Sequence, residues 1–485
     1  MSTNYDAQED PTFRERLGRH PGPAIQWVGV FLFLIALEFG ALMRSIMTSI
    51  PWSWIGGALP LTAPWAALAG IGDALADLPT LLSRDVIPNQ GYLIPGEGWE
   101  GTFMGLEPSA AWMLRVFLIY VYAFGLFGWV FYGYLLFRRH YRAADWTPYD
   151  DMLGRLEGHR WGQFGLVVVL MFVVMAVFAP ALGPTTVETN IEDPYSSEIE
   201  YWDEDAGEPA TMLVGDANVR STSKGAGGDN VGPMQYDEYN RFHPFGTLPS
   251  GKDLFTFMAA GARVSLFIGL LYISLAAGAA VLLALVTAYY KGLTDLAVVI
   301  AGDSVQALPQ LLVLILLSYV LSDTWLAGIY DGGLLLAVIF AATGWPYLWR
   351  AVRGPALQVS NEEWIDAARS FGQKPLTTMR KHMLPYVLGY LLIYASLSIG
   401  GAIIGVAGLS FLGLGVNAPT PEWGRAVSAG QPYVATASWH ISLIPGIMVV
   451  IIVTAFNALG DGIRDAIDPQ SEAGSDEVTA GGGGA

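Results

Sequence analysis

Apolar residues occur along this chain in long blocks rather than at alternating positions. A block of about 20 apolar residues is long enough for an α-helix to cross the ~30 Å hydrocarbon layer of a membrane. Eight blocks reach this length, so the pattern predicts an all-α polytopic membrane protein with about eight transmembrane helices. The predicted spans cover residues 24–46, 111–137, 161–182, 264–289, 296–321, 332–350, 385–411 and 439–459.

A further stretch, residues 52–83, is only moderately apolar. It contains Pro60 and Pro64 and also carries Asp73 and Asp77. We expect it to lie against the outer membrane surface, and the alternative is that it enters the membrane.

The positions of Lys and Arg predict the orientation of the chain, because basic residues are retained in short cytoplasmic loops. Loops 138–160 and 351–384 each carry five basic residues and are predicted to be cytoplasmic. Segment 47–110 has one basic residue against six acidic ones and is predicted to lie outside. With eight spans, both termini are then cytoplasmic.

Segment 184–262 carries 14 acidic and four basic residues and is predicted to be an acidic outer loop. Its Gly/Ser/Asp-rich middle, residues 221–232, is predicted to be flexible, and the acidic, Gly-rich tail 470–485 is predicted to be disordered.

Composition narrows the functional classes. The 485-residue chain is 53% hydrophobic and 14% charged, and it contains no cysteine, which excludes disulfides and thiolate chemistry. A net charge of −18 does not suit a nucleic-acid-binding protein. The acidic surplus indicates either a salt-adapted microbe, that is a halophile, or only an acidic loop and tail.

One segment has the spacing of a phosphate-binding loop, Gly246-Thr-Leu-Pro-Ser-Gly251-Lys252. The next residue is Asp253, where magnesium binding requires Ser or Thr, so we interpret the match as chance. The six histidines lack metal-ligand spacing, and there is no nucleophile motif. The sequence therefore predicts no catalytic site, metal or cofactor on this chain.

The loop 351–384 contains a predicted short helix. Ser360-Asn-Glu-Glu363 has capping-box spacing, and Gly372 is typical of a helix end, which gives a helix over about 361–371. Trp364, Ala367 or Ala368, and Phe371 recur at helical spacing and form an apolar ridge. The ridge either docks on a partner or packs under the protein's own membrane helices.

The fifth span carries Asp303, Gln306 and Gln310 at spacings that predict one polar helix face. A charged residue in lipid is costly, so this face should line a translocation path or an inter-subunit contact, or be satisfied internally. In the seventh span, Gly401-x-x-x-Gly405 predicts close helix packing. Similar membrane depths suggest that Glu38 and Arg115 of the first two spans form an ion pair.

The inner loop carries Asp366-Ala367-Ala368, then Gly372, then His382-Met-Leu384-Pro385. This spacing resembles the hallmark Glu-Ala-Ala, Gly and Ile-x-Leu-Pro of the membrane-spanning permease subunits of binding-protein-dependent ABC importers, in the dipeptide/oligopeptide (and nickel) branch, with Asp and His as departures. Further matching blocks begin at His243, Gly261, Gly408 and Phe456. The resemblance covers about residues 160–469.

The resemblance implies a permease core at 161–469 behind an N-terminal extension, 1–160, whose role it leaves open. It implies that the loop helix, including Glu363, couples the chain to two separate cytoplasmic ATP-binding subunits, where ATP is hydrolysed. It also implies a second homologous permease, an extracellular solute-binding protein, a peptide-like solute and the plasma membrane of a prokaryote. The alternative is an ion-coupled secondary transporter that uses intramembrane carboxylates.

Overall fold

The computed structural model describes residues 12–49, 70, 74, 75, 80, 82–143, 147–225 and 230–467. Within these residues, six helices are long and apolar enough to cross a membrane, and two bent helix pairs bring the number to eight if each pair is one span. The predicted stretch 52–83 lies almost entirely, and the tail 470–485 entirely, outside the described residues.

Among its described residues, the N-terminal extension has five α-helices whose two ends are both described and a small hairpin of two strands. They are α1 Phe13–Arg19, α2 Pro21–Leu37, α3 Phe39–Ser49, β1 Tyr92–Ile94, β2 Gly98–Glu100, α4 Pro108–His140 and α5 Pro148–Gly158.

The remaining part begins with a span and with residues 184–253, which we call the outer segment after its predicted location. These comprise α6 Arg160–Val177, α7 Ala179–Leu182, β3 Glu198–Asp203, β4 Glu208–Leu213, α8 Val214–Arg220, β5 Gln235–Tyr236 and β6 Phe242–His243. The strands pair as antiparallel neighbours, β1 with β2, β3 with β4 and β5 with β6.

The last helices form the bundle and the loop between its spans. They are α9 Leu254–Tyr290, α10 Gly292–Ala307, α11 Gln310–Val320, α12 Gly333–Val359, α13 Glu363–Ser370, α14 Pro375–Thr378, α15 Leu384–Phe411, α16 Trp423–Gly430 and α17 His440–Ile467.

Helices α9 and α12 form the centre of the bundle. On α9, four alanines recur every fourth residue and are fully buried: Ala276, Ala280, Ala284 and Ala288. Small side chains let helix backbones approach closely, which is the main source of attraction between helices in lipid. This stripe is consistent with the close contact between α9 and α12. Helix α15 packs against both of them, and α17 packs against α15 and α6.

Two predicted spans are broken rather than continuous. The first is interrupted at Glu38, whose backbone is not helical (φ −121°, ψ 21°) and which separates α2 from α3. The fifth bends by 85° between α10 and α11, because Leu308 is extended (ψ 137°) before Pro309. The prediction that Asp303, Gln306 and Gln310 share one face of a single helix is therefore wrong.

The outer segment is more ordered than the sequence indicates. Ser221 and Ser223 are buried, and the Ser221 hydroxyl lies 2.8 Å from a carboxylate oxygen of Asp237. The prediction of a flexible stretch is wrong for these two serines. The outer loop also ends earlier than predicted, because α9 begins at Leu254.

Arg115 and Glu38 do not form the predicted ion pair. The buried Arg115 guanidinium instead donates to the carbonyl oxygens of Ala181, Gly183 and Ile87 and to the side-chain oxygen of Asn89, at 2.7–3.0 Å. A carboxylate oxygen of Glu38 accepts a hydrogen bond from the Leu82 backbone amide at 3.0 Å. Both side chains form hydrogen bonds with backbone groups, and these partners cannot be inferred from the depths of the two residues in the membrane.

Candidate functional site

The loop between α12 and α15 carries the short helix α13. It begins at Glu363, and its N-cap is Glu362, which makes no side-chain capping bond. The predicted capping box at Ser360 is wrong, because Ser360 follows the last turn of α12 and its hydroxyl donates to the Leu357 carbonyl at 2.8 Å. The helix therefore starts later than the motif indicates.

One side of α13 is held by the membrane helices. Ile365 is fully buried in the bundle core, which also contains Met379 and Met383 from the loop, Val359 from the end of α12 and Ala288 from α9. Burying an isoleucine side chain contributes about 1.5–3 kcal/mol. This contact fixes the position of α13 against the ends of the spans.

Exposed apolar side chains lie on another side of α13 and directly after its end. Trp364 is 52% exposed and Phe371 is 92% exposed, and Leu376 of α14 is 71% exposed beside them. Glu363, Asp366 and Ala367 are also exposed, whereas Ala368 is half-buried. The predicted apolar ridge of Trp364, Ala367 and Phe371 is therefore exposed, and Leu376 extends it.

Two polar contacts tie the loop to the end of α9. The Arg369 guanidinium lies 4.3 Å from the ring centroid of Tyr289 and donates to the Tyr289 carbonyl at 3.1 Å. The Lys291 ammonium donates to the Asn361 side chain at 2.6 Å. Sequence reasoning missed these contacts, because residues about 80 positions apart give no local signal.

Gly372 marks the end of α13, and Pro385 marks the end of the loop. Gly372 has φ +74°, a left-handed conformation that glycine adopts without strain, and its amide donates to the Arg369 carbonyl at 2.9 Å. Leu384 and Pro385 open α15, where proline is tolerated because the first amides need no helical partner. Leu384 is half-buried and Pro385 is exposed.

A cavity of about 560 Å³ lies within the bundle. Gln306 from the end of α10, Gln310 from the start of α11 and Gly401 of α15 all line it. The bend at Pro309 thus brings the two glutamines to one space although they lie on different helices. The other polar groups in the wall come from Tyr272, Thr343, Tyr347 and Ser398.

Asp303 does not line this cavity but pairs with Arg350 of α12, and Arg350 also contacts Gln306. The ion pair is exposed, with 58% of the Asp303 side chain and 45% of the Arg350 side chain accessible. Charges are costly in lipid, so this face requires water or another protein beside it.

The two glycines of the seventh span have different surroundings. A side chain at Gly405 would meet the Phe340 ring at 2.8 Å, so this glycine permits close contact of α15 with α12. No atom of the described structure lies within 4 Å of the corresponding position at Gly401. The predicted close packing holds for Gly405, whereas Gly401 opens to the cavity.

The outer segment contains a buried charge network at the start of α9. His243 lies 2.9 Å from Asp253 and 3.4 Å from Asp237, and Asp237 also accepts from Arg241 at 2.7 Å. Burial opposes protonation, but the two carboxylates raise the pKa of His243 above its ordinary value. Burial likewise opposes ionisation of Asp237, yet Arg241 and His243 lower its pKa.

This network also accounts for the segment that resembles a phosphate-binding loop. Asp253 caps α9 by accepting from the Thr256 amide at 2.7 Å, and the Lys252 ammonium donates to the Ile191 carbonyl at 2.8 Å. A side chain at Gly251 would collide with the Asn218 carbonyl at 1.6 Å. These groups serve the fold of the outer segment. In the part of the chain that the structure describes, no three His, Asp or Glu residues are grouped as metal ligands would be.

Comparison with known proteins shows to which protein family the bundle and its loop are similar. The family of binding-protein-dependent transport system inner membrane components matches residues 280–472. The dipeptide transport system permease protein DppC of Bacillus subtilis is 30% identical over 321 residues, which is 66% of this chain and 85% of that protein. The corresponding DppC of Alkalihalophilus pseudofirmus is 29% identical over 67% of this chain and 90% of that protein.

The oligopeptide transport system permease protein OppC of Bacillus subtilis is 29% identical over 66% of this chain and 90% of that protein. These relatives are transport components, and ATP hydrolysis in such importers takes place on separate subunits. This chain therefore belongs to the binding-protein-dependent transport system inner membrane components and is a multi-pass permease subunit of an ABC importer in the dipeptide/oligopeptide branch.

Proposed function

We propose that this chain forms half of a membrane pathway that imports peptides or a related small solute. A second homologous permease supplies the other half, two cytoplasmic ATP-binding subunits drive the cycle, and an extracellular solute-binding protein delivers the solute. The peptide assignment is supported by the relatives named for dipeptide and oligopeptide transport.

The single observation that carries the coupling proposal is the two-sided character of α13. Ile365 is buried in the protein's own core, whereas Trp364 and Phe371 are exposed on a loop that projects from the bundle. Exposed aromatic side chains of this kind are typical anchors of protein interfaces. We infer that the apolar ridge docks into an ATP-binding subunit and that Ile365 transmits its movement to the spans.

The polar cavity and the Asp303–Arg350 pair supply the remaining parts of the proposal. Gln306, Gln310 and Gly401 line a space in which amide groups can exchange hydrogen bonds with a passing peptide backbone. The exposed ion pair on α10 and α12 is suited to a contact with the second permease, which would remove both charges from lipid.

The proposal includes an orientation and a division of the chain. Both termini and the α13 loop are placed in the cytoplasm of a prokaryotic cell, and the acidic outer segment faces outward. The permease core is assigned to residues 161–469 and the extension to 1–160. The net charge of −18 supports a salt-adapted source.

The test is ATP-driven solute uptake by the complete transporter in vesicles. We expect Trp364→Ala to abolish most uptake and to weaken retention of the ATP-binding subunits during purification, because the substitution removes an anchor of the docked surface. Trp161→Ala is the matched control, since Trp161 is 46% exposed, stacks only on Phe164 among the described rings and lies on α6 away from the loop. Equal uptake by both variants would contradict the coupling role.

The same vesicles discriminate the alternative of an ion-coupled transporter, which the relatives do not favour. Uptake by an ABC importer requires ATP and survives an uncoupler when ATP is supplied. Loss of uptake on adding the uncoupler, with ATP present, would instead support ion coupling.

A further inference from the structure

A polar cavity of about 290 Å³ lies between the outer segment and the hairpin of the extension. Its wall includes residues 197–200 around the start of β3, residues 89–91 before β1, and Phe242 and His243 of β6. The volume is close to the lower limit of the roughly 300–1,000 Å³ typical of small-molecule sites. The cavity therefore has room for a small ligand and not for a folded segment of another protein.

Strand β3 has an edge that is not paired with another strand, because β3 pairs only with β4. In an antiparallel pair, successive residues alternately bond to the partner strand and direct their backbone groups away from it. The Val214 amide donates to the Ser197 carbonyl at 2.9 Å, so Ile199 and alternate residues after it bond to β4. Glu198 and Glu200 consequently direct their amide and carbonyl groups away from β4.

The register of β4 supports this assignment. Pro209, which lacks an amide proton, stands opposite Trp202, as expected for a pair that exchanges no backbone bonds. The Trp202 ring stacks on Tyr92 of β1 with centroids 6.5 Å apart, and Trp202 does not line the cavity. The open part of the free edge is therefore at Glu198 and Glu200.

Two observations place the cavity at this free edge. Four consecutive residues, 197–200, line the cavity, whereas one face of a strand would contribute only alternate residues. The hairpin that borders the cavity has its strand β1 next to β3 rather than β4. Among the described residues, no group outside the β3–β4 pair forms a hydrogen bond with the backbone of Glu198 or Glu200.

The basic side chains that line the cavity are engaged by carboxylates. Arg241 donates to Asp237 at 2.7 Å, and His243 lies 2.9 Å from Asp253. These four residues form the buried network described above, in which two acidic side chains face two basic ones. The lining thus offers no free basic group to bind an anion.

The acidic side chains of β3 are balanced by arginines near the wall. Glu198 and Glu200 are exposed and form no ion pair with a described residue. Arg84 and Arg115 do not line the cavity, but both donate to the carbonyl of Gly183 beside it. Because the charges nearly cancel, the main feature of the cavity is its row of backbone hydrogen-bonding groups.

We propose that this cavity binds a short peptide in an extended conformation, whose backbone pairs with the free edge of β3. Addition of a strand to an exposed sheet edge is a known mode of peptide recognition, in which main-chain hydrogen bonds supply the affinity. Glu198 and Glu200 are about 6.8 Å apart along the strand, which matches alternate residues of an extended tripeptide. The inference rests on the proposed function for the class of solute and for the outward orientation of the cavity.

A short peptide suits this edge better than a second copy of the chain. Charged side chains on an edge strand oppose pairing with another protein strand, and a second copy would bring its own Glu198 and Glu200 against these two. A short peptide instead carries an N-terminal ammonium group, which the carboxylates attract. Pairing through the main chain also accepts peptides with different side chains.

Isothermal titration calorimetry of the purified full-length chain in detergent tests the proposal. The probes are trialanine and the same tripeptide with an N-methyl group on both peptide nitrogens. We expect trialanine to bind and the methylated form to bind about two- to twelvefold more weakly, the factor for one lost hydrogen bond of about 0.5–1.5 kcal/mol. Equal binding of the two probes would overturn strand pairing.

Glu200→Pro removes the edge amide without removing a bond between β3 and β4, since proline is tolerated where the amide faces away from the partner strand. Glu200→Gln removes the same charge but keeps the amide. Trialanine should bind to Glu200→Pro about two- to twelvefold more weakly than to Glu200→Gln. Equal affinities in these two variants would assign the binding to the carboxylate and overturn the proposal.

Thr211→Pro is the matched control. Thr211 lies opposite Glu200 in β4, its amide faces away from β3, and it does not line the cavity. This variant should bind trialanine as the unaltered chain does. A loss equal to that of Glu200→Pro would overturn the proposal, as would a dimer of the purified chain that Glu200→Pro dissociates.

ATP-driven uptake of trialanine by the complete transporter in vesicles separates this inference from the proposed function. Uptake by a transporter whose isolated permease does not bind trialanine would overturn the inference and leave the proposed function intact. Binding that depends on the Glu200 amide, without uptake, would support the site and contradict the proposed function.

Discussion

Gly372 ends α13 in a left-handed backbone conformation. Backbone strain, rather than a lack of space, therefore limits which residues this position accepts. No atom of the described residues lies within 4 Å of where its Cβ would stand. We expect Gly372→Ala to cost about 1–2 kcal/mol, the penalty of the left-handed region for a residue with a Cβ. ATP-driven uptake and the thermal unfolding midpoint of the purified chain should both fall.

Gly389→Ala provides the control for this substitution. Gly389 lies inside α15 and also has open space around it, but its backbone is helical. Alanine there should be neutral or stabilising by up to about 1 kcal/mol. A similar loss of stability in both variants would show that the left-handed conformation is not the cause.

His243 makes the stability of the outer segment dependent on pH. Since its pKa in the folded chain is above the ordinary value of 6.5, the protonated form stabilises the fold. This contribution is complete below pH 6.5 and is lost as the pH rises through the folded-state pKa. Asp237 acts in the opposite range, because its lowered pKa removes its contribution only at strongly acidic pH.

We therefore expect the thermal unfolding midpoint of the chain to decline as the pH is raised from neutral to alkaline values. His243→Gln should lower the midpoint at neutral pH and flatten this decline. His140→Gln, at an exposed histidine of α4, should leave the profile unchanged. An unaltered decline in His243→Gln would assign the pH dependence to another group.

At the scale of the element, α13 is a short helix in which the buried Ile365 and the half-exposed Trp364 are expected to have different roles. Ile365 is fully buried, so Ile365→Ala leaves a cavity and should destabilise the chain by about 2–5 kcal/mol. Trp364→Ala removes a half-exposed side chain and should change stability far less, although it removes most uptake. Thermal unfolding of the two variants in detergent measures the difference; equal destabilisation would mean that Trp364 is also a core residue.

The sequence predicts the existence of the spans well, because their length is set by the membrane. It predicts the ends and breaks of helices less well, because these depend on local hydrogen bonds. Apolar blocks identify the spans because each must cross the same hydrocarbon thickness. The break at Pro309 had a signal, the proline itself, whereas the break at Glu38 has none of that kind. The start of α13 was misplaced because α12 continues to Val359 and uses Ser360 after its end.

Only part of the candidate site could likewise be predicted from the sequence. The exposure of Trp364 and Phe371 could be expected from periodicity and the resemblance together. The contact of Arg369 with Tyr289 and the burial of Ile365 could not, because they depend on how the end of α9 meets the loop. Gln306 and Gln310 were expected on one polar face and instead meet across a helix break, in a space that only the packed bundle defines.

At the scale of the whole molecule, Arg115 joins the extension to the core. Its guanidinium on α4 donates hydrogen bonds to the carbonyls of Ala181 and Gly183, which follow the first core span. It also binds Ile87 and Asn89 of the extension, so a single side chain fixes three segments of the chain. Hydrogen bonds to a charged group contribute about 1.5–3 kcal/mol each, and this residue is therefore a major part of that junction.

Arg115→Lys keeps the positive charge but replaces the planar fork of donors by a single ammonium group, which cannot reach all four acceptors. We expect a lower unfolding midpoint and faster hydrogen exchange in peptides covering residues 87–89 and 181–183. Arg464→Lys, at an exposed arginine of α17, is the control and should change neither measurement. If exchange at the junction is unchanged in Arg115→Lys, the extension is held by its helix packing alone. Faster exchange confined to those segments would establish that polar bonds to backbone carbonyls attach the extension to the permease core.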